Sequence, residues 1–488
     1  MRKTRKQAHY LQICLAIIAI LIFTQCKKTE ESLINESSIK IDNSYKTFDS
    51  LLTNAPHGWK MLVYPDIKKY KSNKGGFAFF MKFENNGQVV KMLSDFNKDM
   101  GSVVKESKYS LKFTSLTSLS FSTYNYINYI ADPNTMQNGG EQLGWGNRVD
   151  IEYSYLSKSA NSDTLYLKGN LQNSRAVLIK ATSAEEKYLY TEHQYTDLKD
   201  RFAAATRGKV GLHVKHGNDL SVMTLALGQR QITFAKDISA DSVYIHRTGI
   251  AYNGIHSMLL DVPYSYNGLT VKELILENGS LKAKDISGKD VEIVEMEFPV
   301  IPAFKMMRTG AYSSIKVPFD NTLYISGFVS DTREWPNISE TNDFLTKVYA
   351  SDINIIFAVF LNVIRFYEFD MQFKSAQKRF VLNINTGIHD SERAGVPPAS
   401  AALDDSYYNK FSFPYQYRYT YNQNDVFTAY YEGPQFVYAA QFPTLKNAFK
   451  SSLAEGDCSL KYTKSQTELL IAFYNKKTGK VIFEGRPY

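Results

Sequence analysis

Short segments in which apolar and polar residues alternate dominate the first half of the chain. From Trp59 onward the period is two, and the segments are rich in Val, Ile, Phe and Tyr. This composition and period are typical of β-strands that bury one face against a core. The segments follow one another up to residue 182: KMLVYP, GGFAFFMKF, QVVKML, ESKYSLKF, SLSFSTYNYI, NRVDIEYSYL, DTLYLKGN and RAVLIKAT.

The connections between these segments favour antiparallel pairing. Asn86-Gly87, within FENNGQ, supplies the positive φ angles of a tight hairpin turn. Little helical pattern separates the segments. We therefore predict a chain that is mainly β (α+β overall), whose N-terminal antiparallel meander forms a lipocalin-like barrel or half-barrel. Further β-rich units with a few short helices are expected to follow.

Helical spacing occurs before the first strand and again after the eighth, and the second of these segments marks a domain boundary. SYKTFDSLLTNA (44–55) repeats its apolar residues at helical intervals, and so does TEHQYTDLKDRFAAATRG (191–208). Strand-like segments resume after the second helix, from KVGLHVKH to VEIVEMEF. We predict a β-meander domain over 44–190, a second β-rich domain over 191–302 and a C-terminal β-rich domain with short helices over 303–488.

The C-terminal region has longer apolar runs. INIIFAVFLNVIRFYEFDMQF (353–373) begins as a buried strand or a buried helix, which periodicity alone does not separate. Asn354, Asn362 and Arg365 interrupt it, so a membrane span is not expected. FPTLKNAFKSSLAEG (442–456) is predicted to be a helix, and two closing strands are predicted to flank NKKTGK (475–480).

The N-terminus has the order of charges of a secretory signal. Residues 1–10 carry four basic side chains and no acidic one, and an apolar run occupies 11–24. This run is shorter than the roughly 20 apolar residues that a membrane-spanning helix needs. We therefore predict a signal peptide over 1–25.

Cys26 lies where the stretch resembles a bacterial lipoprotein box, although Phe23 and Gln25 depart from the usual residues of the box. In such a box the cysteine becomes the first mature residue, and its thiol takes a diacylglycerol. We therefore predict lipidation of Cys26, with the polar residues 26–43 as a tether between the membrane and the folded protein.

Charge and cysteine content exclude several classes of protein. The formal charge of +8 falls to +4 once the leader is removed, and the densest basic run is KKYKSNK (68–74). The sequence has no clustered basic stripe of the kind that binds nucleic acid, so no nucleic-acid partner is expected. Cys14 leaves with the leader and Cys26 is acylated, which leaves Cys458 without a second cysteine for a disulfide.

Several motifs in the meander are similar to those of one protein family. They are Gly58-Trp59, FFMKFENNGQVV, Ser94-Asp95, FSTYNYINYIADP (121–133) and GWGNRVD (144–150). They resemble the Bacteroidetes lipoprotein family known as domain of unknown function 4302, most clearly over 44–182. The resemblance implies an outer-membrane lipoprotein, often encoded beside nutrient-uptake systems of the paired porin and lipoprotein type. It implies no catalytic residue.

The same resemblance bears on the orientation of the lipid anchor. Lipoproteins of that group that are displayed at the cell surface tend to carry acidic residues shortly after the acylated cysteine. Glu30 and Glu31 occupy such positions, after Lys27 and Lys28. Display at the cell surface is therefore expected over the periplasmic face.

The sequence gives little indication of a metal-binding site. His213 and His216 are three residues apart on a predicted strand, so their side chains face opposite sides. Asp95, Asn97 and Asp99 alternate as in a calcium-binding EF-hand loop, but the glycine falls one position late. A solvated hairpin loop is favoured there, and no metal or cofactor is predicted.

Nucleophilic catalysis is not supported either. Ser37-x-x-Lys40, Ser265-Tyr266-Asn267 and Lys477-Thr478-Gly479 occur in the order seen in penicillin-recognising enzymes. The first lies in the tether and the last is typical of a hairpin turn, so we interpret the order as coincidence. No catalytic residue is predicted.

Aromatic residues around a Gly/Asn-rich stretch are the candidates for ligand binding. Tyr124, Tyr126, Tyr129 and Trp145 flank NTMQNGGEQLGWGN (134–147) and could form a rim on which sugars or peptides stack. Core packing and cross-strand pairing are the alternative explanation of these residues.

The sequence as a whole favours a non-enzymatic lipoprotein of the outer membrane that serves as an accessory binding protein in nutrient capture, with a glycan or peptide as ligand. Its expected partners are the membrane, through the lipid anchor, and outer-membrane uptake proteins. A structural or assembly component of an uptake complex and an unrecognised hydrolase remain as alternatives.

Overall fold

The computed structural model describes residues 42–67, 74–84, 86, 88–113, 115–140, 144–318, 334–345, 364–389, 408–421, 426–434 and 457–488. Within these residues the strands form three closed barrels, each of eight strands in sequence order. The prediction of a mainly β chain with a few short helices is therefore confirmed. The N-terminal meander is a complete barrel and not a half-barrel.

Barrel 1 is built from the segments that alternate in the sequence. Its strands are β1 (Trp59–Tyr64), β2 (Phe77–Glu84), β3 (Val89–Ser94), β4 (Lys105–Phe113), β5 (Thr117–Phe121), β6 (Glu152–Lys158), β7 (Thr164–Gly169) and β8 (Arg175–Lys180). Each strand pairs antiparallel with the next, and β1 closes the barrel by pairing with both β2 and β8. The β2–β3 hairpin predicted around Asn86 is confirmed, with Glu84 opposite Val89.

One predicted strand of barrel 1 is wrong in its second half. SLSFSTYNYI (118–127) was expected to be a strand throughout, but β5 ends at Phe121 and a helix covers Tyr126–Ala131. The cause is Asn125, which begins the helix with a capping box. The side chain of Asn125 accepts hydrogen bonds from the backbone of Ile127 and Asn128, and this outweighs the β propensity of the surrounding tyrosines.

The interior of barrel 1 is filled by its own side chains. All eight strands contribute to one buried cluster, and the helical residues 42–53 add Phe48 and Leu52 to it. The indole Nε1 of Trp59 donates to the carbonyl oxygen of Leu52 at 2.7 Å, which fastens this helix to β1. An eight-stranded barrel is just wide enough for side chains to fill, so ligand contact is expected at its loops and outer surface.

Strand β1 is buried on both faces, which explains its unbroken apolar sequence MLVY (61–64). Trp59, Met61 and Val63 belong to the interior cluster. Leu62 and Tyr64 belong to a second cluster outside the barrel, together with residues that follow β8 and residues of 249–261. A strand that is buried on both faces does not show the polar alternation of a half-exposed strand.

Short helices occupy the connections within the described residues: Lys98–Ser102, Tyr126–Ala131, Thr135–Asn138, Ser183–Glu186, Asp197–Thr206, Ala303–Arg308 and 338–345, with a π-helical turn at Lys187–Thr191. The helix predicted over 191–208 is confirmed in a shorter form, and Gly208 follows it at φ +72°. Residues 42–53 confirm the helix predicted over 44–55.

Barrel 2 contains β9 (Gly211–His216), β10 (Asp219–Ala226), β11 (Gln231–Ser239), β12 (Ser242–Asn253), β13 (Ser257–Tyr266), β14 (Leu269–Glu277), β15 (Ser280–Lys284) and β16 (Asp290–Met296). Two of its hairpin turns are Asn267-Gly268 and Asn278-Gly279, in which both residues have positive φ. Asn-Gly is the pair that favours this turn, because it twists in the same sense as the flanking strands.

Barrel 3 contains β17 (Ser314–Pro318), β18 (Ile364–Lys374), β19 (Arg379–His389), β20 (Tyr408–Tyr421), β21 (Val426–Pro434), β22 (Asp457–Lys464), β23 (Leu469–Asn475) and β24 (Lys480–Pro487). The strands predicted on either side of 475–480 are therefore confirmed. Of the run 353–373, residues from Ile364 onward are strand, and the earlier residues lie outside the described part of the chain. The helix predicted over 442–456 also lies outside it.

The core of barrel 3 is aromatic and includes the helix 338–345. Phe344 of this helix packs against Phe369 and Phe483 at ring-centroid distances of 5.6 and 5.4 Å. The carboxylate of Glu484 is fully buried and accepts hydrogen bonds from the backbone and side chain of Asn337, at 2.6 and 2.7 Å. The carboxylate therefore holds the residue that precedes the helix against β24.

Candidate functional site

The long connection between β5 and β6 is held by buried amide side chains. Asn138 donates from Nδ2 to the carbonyl oxygens of Tyr129, Ile130 and Asp132 at 3.0, 3.2 and 2.8 Å. Asn147 donates from Nδ2 to the carbonyl oxygens of Ile130 and Asn138, both at 3.2 Å. These bonds satisfy the carbonyls at the end of the helix Tyr126–Ala131 and hold the segments around Asn138 and Asn147 against that helix.

The four aromatic residues predicted to bind a ligand divide into two pairs. Tyr126 and Tyr129 are half-buried, and their hydroxyls donate to the carbonyl oxygens of Val103 and Gln137. Tyr124 and Trp145 remain exposed, by 54% and 44%. The first pair supports the connection, and the second pair presents aromatic surface to solvent. Binding by any of the four stays a prediction.

Tyr124 and Trp145 lie on segments that contact each other. The Tyr124 hydroxyl donates to the Asp132 carboxylate at 3.2 Å. The pKa of Tyr124 is raised, mainly by partial burial and secondly by the negative charge of Asp132. The carbonyl oxygen of Asp132 lies 2.7 Å from the position that a Cβ would take on Gly146, the residue after Trp145. The close approach of these segments therefore requires the glycine.

Trp145 is stacked against a cation. The guanidinium of Arg148 lies 3.3 Å from the centroid of the indole ring, and Arg148 also donates to the side-chain oxygen of Gln172 at 3.4 Å. Arg148 thus connects Trp145 to the β7–β8 turn. Stacking on the indole places a positive charge directly beside the exposed ring.

Two further apolar side chains are exposed on the segments that Arg148 and Asp150 connect to the β7–β8 turn. Leu171, in the β7–β8 turn, is 82% exposed, and Ile151 is 43% exposed. Both flank Asp150, whose Oδ1 accepts from the backbone N–H of Leu171 at 2.7 Å. We call Tyr124, Trp145, Ile151 and Leu171 the rim. Sequence reasoning missed Ile151 and Leu171, although an apolar residue within the polar turn GNLQNS (169–174) was a usable signal.

The residues considered for metal binding in the sequence have structural roles in the fold. His213 is fully buried and its Nε2 accepts from the backbone N–H of Val300 at 3.1 Å, whereas His216 is exposed at the end of β9. Asp95 is buried and accepts from Ala78, and Asn97 caps the helix Lys98–Ser102. The solvated hairpin loop expected at 95–106 is therefore wrong, since this stretch contains a capped helix.

Within the part of the chain that the structure describes, no three His, Cys, Asp or Glu side chains are grouped to hold a metal ion. Burial, followed by the charge of Asp457, raises the pKa of the Cys458 thiol to about 12. Such a thiol is not a nucleophile at neutral pH. Lys477-Thr478-Gly479 forms the β23–β24 turn, with Gly479 at φ +68°, as the hairpin interpretation predicts.

The predicted lipidation site, Cys26, lies outside the described residues, as do the signal peptide, Ser37 and Lys40. None of the helices in the described part of the chain combines the length and the apolar character that crossing a membrane requires.

Comparison with known protein families shows which family the chain is related to. The model of a domain of unknown function (DUF4302) matches residues 30–278, just over half of the chain. The chain belongs to this family. The DUF4302 match includes the whole of barrel 1 and ends after β14. The resemblance of the sequence motifs to domain of unknown function 4302 is therefore confirmed.

Comparison with individual proteins adds little to DUF4302 membership. No curated protein matches the chain. Among solved structures, the chain is similar to the isotype 1 transferrin binding protein B of Neisseria meningitidis serogroup B, with 8% sequence identity and a TM-score of 0.12. The similarity covers 76% of this chain and 65% of that chain, which is less than two thirds of its length. A likeness at this TM-score supports no conclusion about fold or function.

Proposed function

We propose that this protein is an outer-membrane lipoprotein, anchored through Cys26 and displayed at the cell surface, that captures a nutrient ligand for an uptake system. The ligand is a glycan or a peptide, bound at the rim of barrel 1. Membership of DUF4302 and the lipoprotein box around Cys26 support the anchor. The rim supports the binding role.

The observation that carries the binding role is that two hydrogen-bonded segments of the β5–β6 connection present exposed aromatic rings. Asn138 and Asn147 use their amides to fix the backbone of the β5–β6 connection. Trp145 and Tyr124 nevertheless stay exposed on these segments. Large apolar side chains at fixed positions lose little entropy when a ligand packs on them, which favours binding.

The chemistry of the rim fits a sugar or a peptide side chain. The exposed indole of Trp145 offers a flat apolar surface with the cationic Arg148 stacked on it, and the Asp132 carboxylate, which accepts from Tyr124, adds a negative charge in the same connection. Sugars and peptides both combine apolar faces with hydroxyls or amides, so they use all three features. The filled interior of barrel 1 supports a site outside the barrel.

The test is a ligand screen on the full chain against neutral glycans and mixed peptides, read by thermal stabilisation. For any ligand that stabilises the protein, Trp145→Ala is expected to weaken affinity about tenfold or more, because aromatic side chains at the centre of a site carry most of the binding energy. Tyr166→Ala is the matched control, since Tyr166 is 43% exposed on β7 but lies outside the rim. Equal affinity of both variants would remove the rim from the proposal.

The exposure of Leu171 favours a second candidate, in which the rim contacts another protein of an uptake complex. A leucine that is 82% exposed in a turn offers an apolar side chain that a partner protein could bury. Leu171→Asp would then abolish co-purification with a protein partner while leaving glycan and peptide binding unchanged. Loss of small-ligand binding in this variant would instead support the first candidate.

A further inference from the structure

Three cations stand side by side on the outer wall of barrel 3. Lys374 of β18 is directly opposite Arg379 of β19, and Arg379 is directly opposite Arg418 of β20. The next residue in the same line is Tyr430 of β21, directly opposite Arg418. We call Lys374, Arg379 and Arg418 the basic row. Neighbouring strands lie about 4.8 Å apart, so the row and Tyr430 span roughly 15 Å of surface.

The alternation of buried residues shows that the row faces outward. The residues that flank the row in sequence belong to the interior cluster of barrel 3: Phe373, Phe380, Tyr417 and Tyr419. Successive side chains on a strand point to opposite faces of the sheet. The side chains of Arg379 and Arg418 are accordingly 39% and 54% exposed.

A single carboxylate among the described residues lies close to the basic row. Glu432 accepts from Arg379 at 2.7 and 3.3 Å, while its nearest oxygen is 3.9 Å from Nε of Arg418. One negative charge therefore serves two guanidinium groups, and Lys374 adds a third cation. Like charges directly opposite each other destabilise a sheet, so the arrangement leaves an excess of positive charge that an anion would relieve.

Aromatic rings lie next to the cations. The guanidinium of Arg418 stacks over Tyr430 at 5.1 Å from the ring centroid, and Tyr430 is itself 44% exposed. Lys378, beside Arg379 in the β18–β19 turn, lies over Tyr421 at 5.5 Å. Stacking on a ring holds Arg418 extended along the wall instead of free in solvent.

We propose that this wall of barrel 3 binds an acidic polysaccharide, whose carboxylate or sulfate groups pair with the basic row while a sugar ring packs on Tyr430. The repeating charge of such a polymer matches cations at regular strand spacing, and Arg presents a planar pair of donors to a carboxylate or a sulfate. This site is separate from the rim and does not rest on it.

The architecture disfavours an extended peptide as the occupant. Peptides that add to a sheet require an unpaired strand edge, whereas Arg379 and Arg418 each have a paired residue on both neighbouring strands. A polymer lying across the strands needs no such edge, because it contacts side chains alone. Polyglutamate serves in the test as the probe for an acidic peptide.

The test uses the full chain in mild detergent, titrated with alginate, dextran sulfate, neutral dextran and polyglutamate. Alginate or dextran sulfate is expected to bind and neutral dextran is not. Arg379→Gln and Arg418→Gln are each expected to weaken binding about threefold, the scale of one exposed ion pair, and the double variant about tenfold. Tyr430→Ala is expected to weaken the polysaccharides but not polyglutamate.

The matched control is Lys461→Gln. Lys461 stands on β22 of the same barrel and lies over Tyr474 at 5.1 Å, so the variant removes the same charge from the same kind of contact outside the row. Unchanged affinity in this control supports the proposal. An equal loss in the control, no binding of either acidic polysaccharide, or polyglutamate binding as tightly as alginate would each overturn it.

Discussion

Three hydrogen bonds join Asp150 to Ser174. The backbone N–H of Asp150 donates to the Ser174 hydroxyl at 3.2 Å, and the carboxylate Oδ2 accepts from the backbone N–H and the hydroxyl of Ser174 at 3.0 and 2.6 Å. Oδ1 accepts two further backbone N–H groups, from Leu171 and Gln172. The buried Asp150 carboxylate thus accepts backbone N–H groups along the β7–β8 turn, as backbone carbonyls do elsewhere.

Asp150→Asn is expected to lower the free energy of unfolding by about 2–4 kcal/mol. The amide replaces one oxygen with a donor, which then opposes the N–H of Ser174, and the remaining bonds lose their charge assistance. Chemical denaturation monitored by Trp fluorescence measures the change.

The control for this variant is Asp163→Asn. Asp163 lies in the β6–β7 turn with its side chain 54% exposed, in an ion pair with Lys180 at 3.4 Å. An exposed pair contributes little, so a change below about 1 kcal/mol is expected. Equal destabilisation by the two variants would contradict the role assigned to Asp150.

Gly146→Ala tests the close approach behind Trp145. Gly146 has φ +54°, and an added Cβ would lie 2.4 Å from the carbonyl oxygen of Ala131. The backbone must shift, so a loss of about 2 kcal/mol or more in unfolding free energy is expected. Gly144→Ala is the matched control, because Gly144 has φ +90° but no atom within 4 Å of the added Cβ. A loss in the control as large as in Gly146→Ala would show that φ alone is responsible.

The family motifs show what sequence reasoning could reach and where it stopped. Gly146, Asn147 and Asp150 of GWGNRVD each have a structural role, in a close approach, a helix end and a turn. The strands of barrel 1 were predictable because alternation and hairpin signals are local. The helix after Asn125 was missed because one capping side chain outweighed several residues that favour strands.

The repetition of the barrel was not predictable from the sequence. The three barrels share one strand order, yet no repeat of fixed period is present. Any apolar side chain fills an interior position, and strands range from Thr117–Phe121, with 5 residues, to Tyr408–Tyr421, with 14. The basic row was missed for a related reason, since register between strands decides which of Lys374, Arg379 and Arg418 are neighbours.

Cys26→Ser tests the predicted anchor. A serine hydroxyl does not take the diacylglycerol thioether, so the variant is expected to leave the membrane fraction. Fractionation and immunoblotting of cells that express the two forms measure this. The control is Cys14→Ser, because Cys14 lies within the predicted signal peptide and is removed with it. Retention of Cys26→Ser in the membrane would refute the lipoprotein assignment.

Acid is expected to weaken barrel 1 through Glu186. A hydrogen bond from Lys82, and next one from His57 at 2.7 Å, lower the pKa of Glu186 from its ordinary value of 4.5. Because the folded-state pKa is depressed, the stabilisation is complete above the unfolded-state pKa and is lost as the pH falls through the folded-state pKa. Wild type should therefore be more stable than Glu186→Gln above about pH 5, and the difference in unfolding free energy should shrink below about 4.5. Urea unfolding at stepwise pH measures both curves. Lys82→Gln removes the main donor and should flatten the acid loss, whereas parallel curves for wild type and Glu186→Gln down to pH 3 would show that this carboxylate does not set the acid stability of the barrel.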